Sequence, residues 1–181
     1  MIIVEGPDGA GKTTLIRQIQ ERWPELEVAP RVVSKETKDL VDLQEWVNRN
    51  LSEGPQFKIF DRYRLISEFI YGPVIRKEQR PGFTDVTWVW HSLRRFERLG
   101  PIIIYCLPPL QVVKRNITGD ESNRAVWDHI DGIYTAYLQR ATLDALHLHA
   151  FVYDYTTDGQ EDDPLSIFVP AIESMRKRTQ R

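Results

Sequence analysis

The stretch that most restricts the fold of this chain lies at its start: Ile2-Ile3-Val4-Glu5-Gly6-Pro7-Asp8-Gly9-Ala10-Gly11-Lys12-Thr13-Thr14. The apolar run Ile2 to Val4 reads as a buried strand, being short and β-branched. Gly6-x-x-x-x-Gly11-Lys12-Thr13 follows at once, and Leu15, Ile16 and Ile19 then recur at helical spacing between Lys12 and Arg22. Strand, glycine loop and helix in this order form the setting in which that spacing holds phosphate. The glycines let backbone N–H groups turn inward, and the helix N-terminus adds positive potential. Gly6, Gly9, Ala10, Gly11 and Thr14 are expected to cradle the phosphates of ATP. Lys12 is expected to reach the β- and γ-phosphates, and the Thr13 hydroxyl to hold Mg²⁺.

The rest of the chain repeats the alternation. Apolar runs at Val28–Val33, Phe57–Phe60, Pro101–Leu107 and His149–Tyr155 read as further strands. Helices are expected over Thr37–Leu51, Leu65–Lys77 with a bend near Gly72-Pro73, Val86–Leu99, Pro109–Ile117 and Ala125–Leu146. A last helix is expected from Asp163-Pro164. Strands alternating with helices imply an α/β fold of the P-loop NTPase kind, a parallel five-stranded sheet with helices on both faces and a small lid. The ligand then belongs beyond the carboxyl ends of the strands. At 181 residues, with no linker or repeat, the whole chain (1–181) is expected to be one domain.

Charge and cysteine content narrow the classes. Lys plus Arg number 24 against 26 Asp plus Glu, so no global positive field draws in nucleic acid. Cys106 is the sole cysteine and sits in an apolar run, which points to a strand interior and rules out a four-cysteine zinc site. No apolar run approaches the roughly 20 residues of a membrane span, and the first strand begins where a leader would stand. A cytoplasmic enzyme with small-molecule partners and no membrane is the expectation.

Asp8 is not required by the loop pattern. An acid there opposes phosphate unless its side chain has another partner, either a second ligand with a hydroxyl or its own loop backbone. Glu5–Thr14 together with Phe60-Asp61-Arg62-Tyr63, and Gly132–Leu138 further on, resemble the thymidylate kinase group of nucleoside monophosphate kinases. The resemblance implies transfer of the ATP γ-phosphate to a deoxynucleoside monophosphate, with dTMP or a related pyrimidine first. It implies that Asp8 takes the sugar 3′-hydroxyl and Arg62 the acceptor phosphate, a role that suits the planar donor fork of arginine. Asp61, at the end of an apolar strand, is placed to orient Mg²⁺ or its waters, and Tyr63 either meets the acceptor or packs. Ser67 and Tyr71 resemble the family's serine and aromatic near the acceptor base, each displaced by one residue. Where the family carries Arg-Glu-Pro-Gly, only Arg31 and Lys35 stand here. Homodimers are common in the family, although no segment of this chain argues an interface.

Phosphoryl transfer relies on positioning and on neutralising charge at the transferring group. No arginine lies between Asp8 and Lys12, so the missing charge falls to a lid over about 115–125, with Arg115 and Arg124 as its catalytic candidates beside Lys12 and Arg62. Trp88, Trp90 and His91 could stack on a base, or serve the core. A second reading keeps the kinase but makes the acceptor a deoxynucleoside or a modified base in DNA. A third, a nucleotide-binding regulatory module, lacks the Asn-Lys-x-Asp segment of guanine-reading switches.

Overall fold

The computed structural model describes residues 1–30, 40–54, 57–77, 81–117, 124–157, 163 and 165–179. Arg31, Lys35 and residues 118–123 of the expected lid lie outside the described residues. The strands are β1 (Ile2–Glu5), β2 (Glu27–Val28), β3 (Lys58–Asp61), β4 (Ile102–Cys106) and β5 (His149–Tyr153). They form one five-stranded sheet, ordered β2-β3-β1-β4-β5, with every neighbouring pair parallel. The helices are α1 (Lys12–Arg22), α2 (Leu40–Ser52), α3 (Arg64–Tyr71), α4 (Val86–Arg98), α5 (Leu110–Ile117), α6 (Arg124–Asp128), α7 (Ile130–Ala145) and α8 (Val169–Thr179).

Successive strand side chains point to opposite faces, so a strand apolar at every position implies two cores. Ile2 and Val4 of β1 join Ile102 and Ile104 of β4 in one cluster, covered by Leu15 and Ile19 of α1, Val113 of α5 and Ile172 of α8. Ile3 and Ile103 face the other way, into a cluster with Val47 of α2, Ile66 of α3, Phe96 of α4 and Ile133 of α7. The helices that follow β1 and β3, α1 and α3, thus pack on opposite faces of the sheet. A crevice opens between the carboxyl ends of these two adjacent strands, the position at which open α/β sheets bind ligands.

Several expected elements differ in detail, among them the strand read as Val28–Val33, which is Glu27–Val28 with Ala29 and Pro30 beyond its end. The helix read as Ala125–Leu146 is two, α6 and α7, separated at His129, whose backbone (φ -118°, ψ 9°) leaves the helical region. The final helix begins at Val169 instead of Asp163, because residues 165–168 form turns held by Phe168 N–H to Leu165 and Ser166 N–H to Asp163. The helix expected to bend at Gly72-Pro73 does so through a π-helical segment, Gly72–Arg76, after α3. A proline within a helix removes a donor and forces such an adjustment. Among the described residues no helix is long and apolar enough to cross a membrane.

Candidate active site

The loop after β1 is fixed from beneath by the sheet. Gly6 has φ 139°, and a Cβ there would stand 2.4 Å from the Cys106 carbonyl oxygen, so only glycine lets the chain leave β1 this close to β4. Lys12, the first residue of α1, is buried and donates from Nζ to the Pro7 carbonyl at 2.7 Å, curling back under the loop. Burial and the nearby Arg62 guanidinium bring its ammonium down to about 8, with Asp8 and Asp61 opposing. A bound polyphosphate would restore full charge, since an anion within a few ångströms favours the protonated amine.

The partner of Asp8 comes from the protein itself. Arg62 Nη2 donates to Asp8 Oδ1 at 2.8 Å and to the Tyr71 hydroxyl at 2.6 Å, and that hydroxyl donates to Asp8 Oδ2 at 2.9 Å. The guanidinium also lies over the Tyr71 ring, 4.7 Å from its centre, and reaches the Gly6 carbonyl at 3.4 Å. Burial works to raise the Asp8 carboxyl, but Arg62, Lys12 and the Tyr71 hydrogen bond outweigh it and hold it below the usual carboxylate range. Loop, β3–α3 turn and α3 thus meet in a closed triangle of charge and hydrogen bonds. The Nε of Arg62 is buried with no hydrogen-bond partner among the described residues.

Beside this triangle lies a cavity of about 540 Å³, reached by Lys12, Thr13, Asp61, Gln18, Asn116 and Tyr155 among others. Thr13 and Asp61 offer it a hydroxyl and a carboxylate, hard oxygen donors of the kind Mg²⁺ takes together with phosphate oxygens and water. Among the described residues no group of three or more His, Cys, Asp or Glu could hold a metal ion by itself. At the far wall, Asn116 Nδ2 donates to the Gly9 carbonyl and to the Tyr155 hydroxyl, both at 2.9 Å. The Tyr155 ring lies against Gly11, where a Cβ would come within 3.0 Å of it.

Solved structures share this architecture. The YorR protein of Bacillus subtilis, in complex with phosphorylated GDP, aligns with a TM-score of 0.68 and 19% identity, over 99% of this chain and 98% of that one. Deoxyadenosine kinase from M. mycoides with bound dCTP aligns at 0.59 and 18%, covering 96% and 100%. The same enzyme with dATP gives 0.57 and 16%, covering 95% and 98%. The fold is the P-loop NTPase fold, a parallel five-stranded sheet with helices on both faces. No family model matches the chain, and no curated protein matches it in sequence.

Within this fold, Gly9, Gly11, Lys12, Thr13, Thr14, Asp8 and Asp61 share the cavity, and Arg62 and Tyr71 stand on Asp8. Ala10 is wholly buried beneath the loop. Tyr63 is also fully buried, stacked on Phe96 at 5.2 Å, and Ser67 is buried with its hydroxyl donating to the Tyr63 carbonyl at 3.3 Å. Neither of these two lines the cavity. Arg115 is exposed near the end of α5, and Arg124 is exposed at the start of α6, on the two sides of residues 118–123. Trp88 packs edge-on against Phe83 at 5.2 Å, while Trp90 lies outside under the guanidinium of Arg94. Glu68 is buried and paired with Arg76. Asn116, Tyr155 and Gln18 carry no recognisable signal in the sequence, because their place at the cavity depends on how α5, β5 and α1 pack. The Gln18 carboxamide oxygen is buried without a hydrogen-bond partner among the described residues.

Proposed function

We propose that the chain transfers the γ-phosphate of ATP to a deoxynucleoside monophosphate, dTMP or a related pyrimidine nucleotide, giving the diphosphate. The observation that carries this reading is the Arg62–Asp8 pair at the crevice between β1 and β3, immediately beside the phosphate loop. An arginine in that place offers donors to an acceptor phosphate, and an acid beside it offers an acceptor to a sugar hydroxyl. In this reading Lys12 and the loop amides hold the donor phosphates, and Tyr71 supports Asp8 against the sugar. Arg115 and Arg124 supply charge from the lid. Mg²⁺ would be held through Thr13 and Asp61, where it neutralises charge on the phosphates. What the chain itself contributes is alignment of two anionic substrates and exclusion of water around them. Such an enzyme has no need of a membrane or a nucleic acid, and a cytoplasmic place suits its substrates.

A deoxynucleoside acceptor is the second reading, favoured by the likeness to deoxyadenosine kinase. In that case Arg62 would have no acceptor phosphate to meet. Incubating the protein with ATP, Mg²⁺ and a panel of nucleosides and their monophosphates, with ADP release measured, separates the two. Release stimulated by a pyrimidine deoxynucleoside monophosphate is expected. Stimulation by nucleosides alone would transfer the assignment to the second reading.

A further inference from the structure

Glu5 closes an otherwise apolar strand, and it is buried as deeply as the isoleucines before it. A carboxylate in such a place is costly unless both its oxygens are satisfied, and a leucine would serve a purely packing role better. Both oxygens are taken. Oε1 accepts from the Tyr63 backbone N–H at 2.6 Å, and Oε2 accepts from the Tyr137 hydroxyl at 2.9 Å.

The first of these bonds bears on Arg62. This residue has φ 69°, the left-handed region that residues other than glycine seldom enter. Its own N–H donates to the Val4 carbonyl at 3.0 Å, and the next N–H along the chain, that of Tyr63, donates to Glu5. The peptide groups on both sides of the Arg62 Cα are therefore pinned to consecutive residues of β1, one by a main-chain bond and one by a side chain. With both peptides fixed, the direction of the Arg62 side chain toward Asp8 is set from the strand that carries the phosphate loop. The second bond extends the anchor to α7, whose Tyr137 ring also meets the Tyr71 ring edge-on at 6.2 Å. Tyr71 in turn bonds Arg62 and Asp8.

We propose that Glu5 is a positioning residue for the acceptor, holding Arg62 in its left-handed turn through the Tyr63 amide and tying that turn to α7 through Tyr137. The proposal rests on the reading of Arg62 as the acceptor clamp. Glu5 touches no substrate in this account, and its effect reaches the reaction only through the direction of one guanidinium. On the donor side Glu5 makes no hydrogen bond among the described residues, Lys12 being held by the Pro7 carbonyl and the loop by the Asn116–Tyr155 contact.

The test compares Glu5→Gln, which can still accept from the Tyr63 amide and meet Tyr137, with Glu5→Leu, which can do neither. Acceptor KM and kcat, ATP affinity by direct titration, and hydrogen exchange of the ¹⁵N-labelled Tyr63 amide are measured on each full-length variant. Glu5→Gln is expected to keep the slow exchange and an acceptor KM close to that of the wild type. Glu5→Leu is expected to lose the protection at Tyr63 and to raise acceptor KM at least tenfold, with ATP affinity unchanged. Should Glu5→Leu fail to fold, Glu5→Asp keeps the charge but withdraws it by one methylene, and an intermediate rise in acceptor KM is expected. A folded Glu5→Leu, or failing that a Glu5→Asp, with wild-type acceptor KM and a protected Tyr63 amide overturns the proposal. If the wild-type protein phosphorylates no acceptor, the reaction assignment falls, and the Tyr63 exchange still decides whether Glu5 anchors the turn.

Discussion

Arg62 combines a strained backbone with a half-buried charge, at a cost of about 1–2 kcal/mol for the left-handed geometry alone. Its guanidinium is what that cost maintains. Charge-assisted hydrogen bonds contribute about 1.5–3 kcal/mol each, on the order of 10- to 150-fold in affinity. Arg62→Ala is therefore expected to raise acceptor KM by that order while ATP affinity changes by less than about threefold. Equal losses on both substrates would make Arg62 a structural residue of the crevice. The sequence makes Arg62 visible through the Asp61-Arg62-Tyr63 run at a strand end, but not its partners. Asp8 lies far from it along the chain and is brought to it by the parallel pairing of β1 with β3, while Tyr71 comes from the end of α3, the next element. Glu5 was open to reading as the end of an apolar strand, and nothing local distinguishes a carboxylate that anchors a distant turn from one that reaches solvent.

Among the elements, α5 is tied to the phosphate loop by a side chain. Its last turn supplies Asn116 to the Gly9 carbonyl and to Tyr155, and its Lys114 pairs with Asp131 of α7 at 2.7 Å. Deleting the Asn116 side chain removes two neutral hydrogen bonds worth roughly 0.5–1.5 kcal/mol each, partly replaced by water because the site is exposed. Asn116→Ala is expected to weaken ATP binding about fivefold, read by titration, and to leave acceptor KM unchanged. Unaltered ATP affinity would deprive this contact of any role in holding the loop. The α6–α7 break shows where helical periodicity stops informing. Val126, Ile130, Ile133 and Tyr137 recur at helical spacing through His129, Ile130 entering one core, Ile133 and Tyr137 the other, and Val126 packing against both. Neither glycine nor proline marks the turn, so spacing alone reads one long helix.

For the molecule as a whole, the sheet and the phosphate loop were legible because their signals are local: short apolar runs, one exact spacing, and helices of ordinary period between them. The parallel sheet with helices on both faces followed from that alternation, whereas the strand order did not. The balance of charge in the crevice was not legible, since Glu5, Asp8, Lys12 and Arg62 are gathered from a strand, the phosphate loop, a helix and the β3–α3 turn. Burial pushes Glu5 up to about 7 from 4.5, against the Tyr63 amide, Arg62, Tyr137 and Lys12. The folded state thus holds a proton that the unfolded chain has released between these values, and stability falls as pH rises through them. The window is worth roughly 3 kcal/mol. Unfolding free energies from pH 4.5 to 8 should therefore decline more steeply for the wild type than for Glu5→Gln, and parallel curves would refute the shift. The closed triangle of Asp8, Arg62 and Tyr71 has a consequence for selectivity. An incoming ligand competes with an intramolecular partner on each side. A bare anion would draw Arg62 away and leave Asp8 with the Tyr71 hydroxyl alone as hydrogen-bond partner, whereas a bare alcohol taking Asp8 would cost Arg62 its carboxylate. On the proposed reading, only a molecule bearing both groups at the right separation replaces both halves at once, so the crevice would work as a coincidence detector.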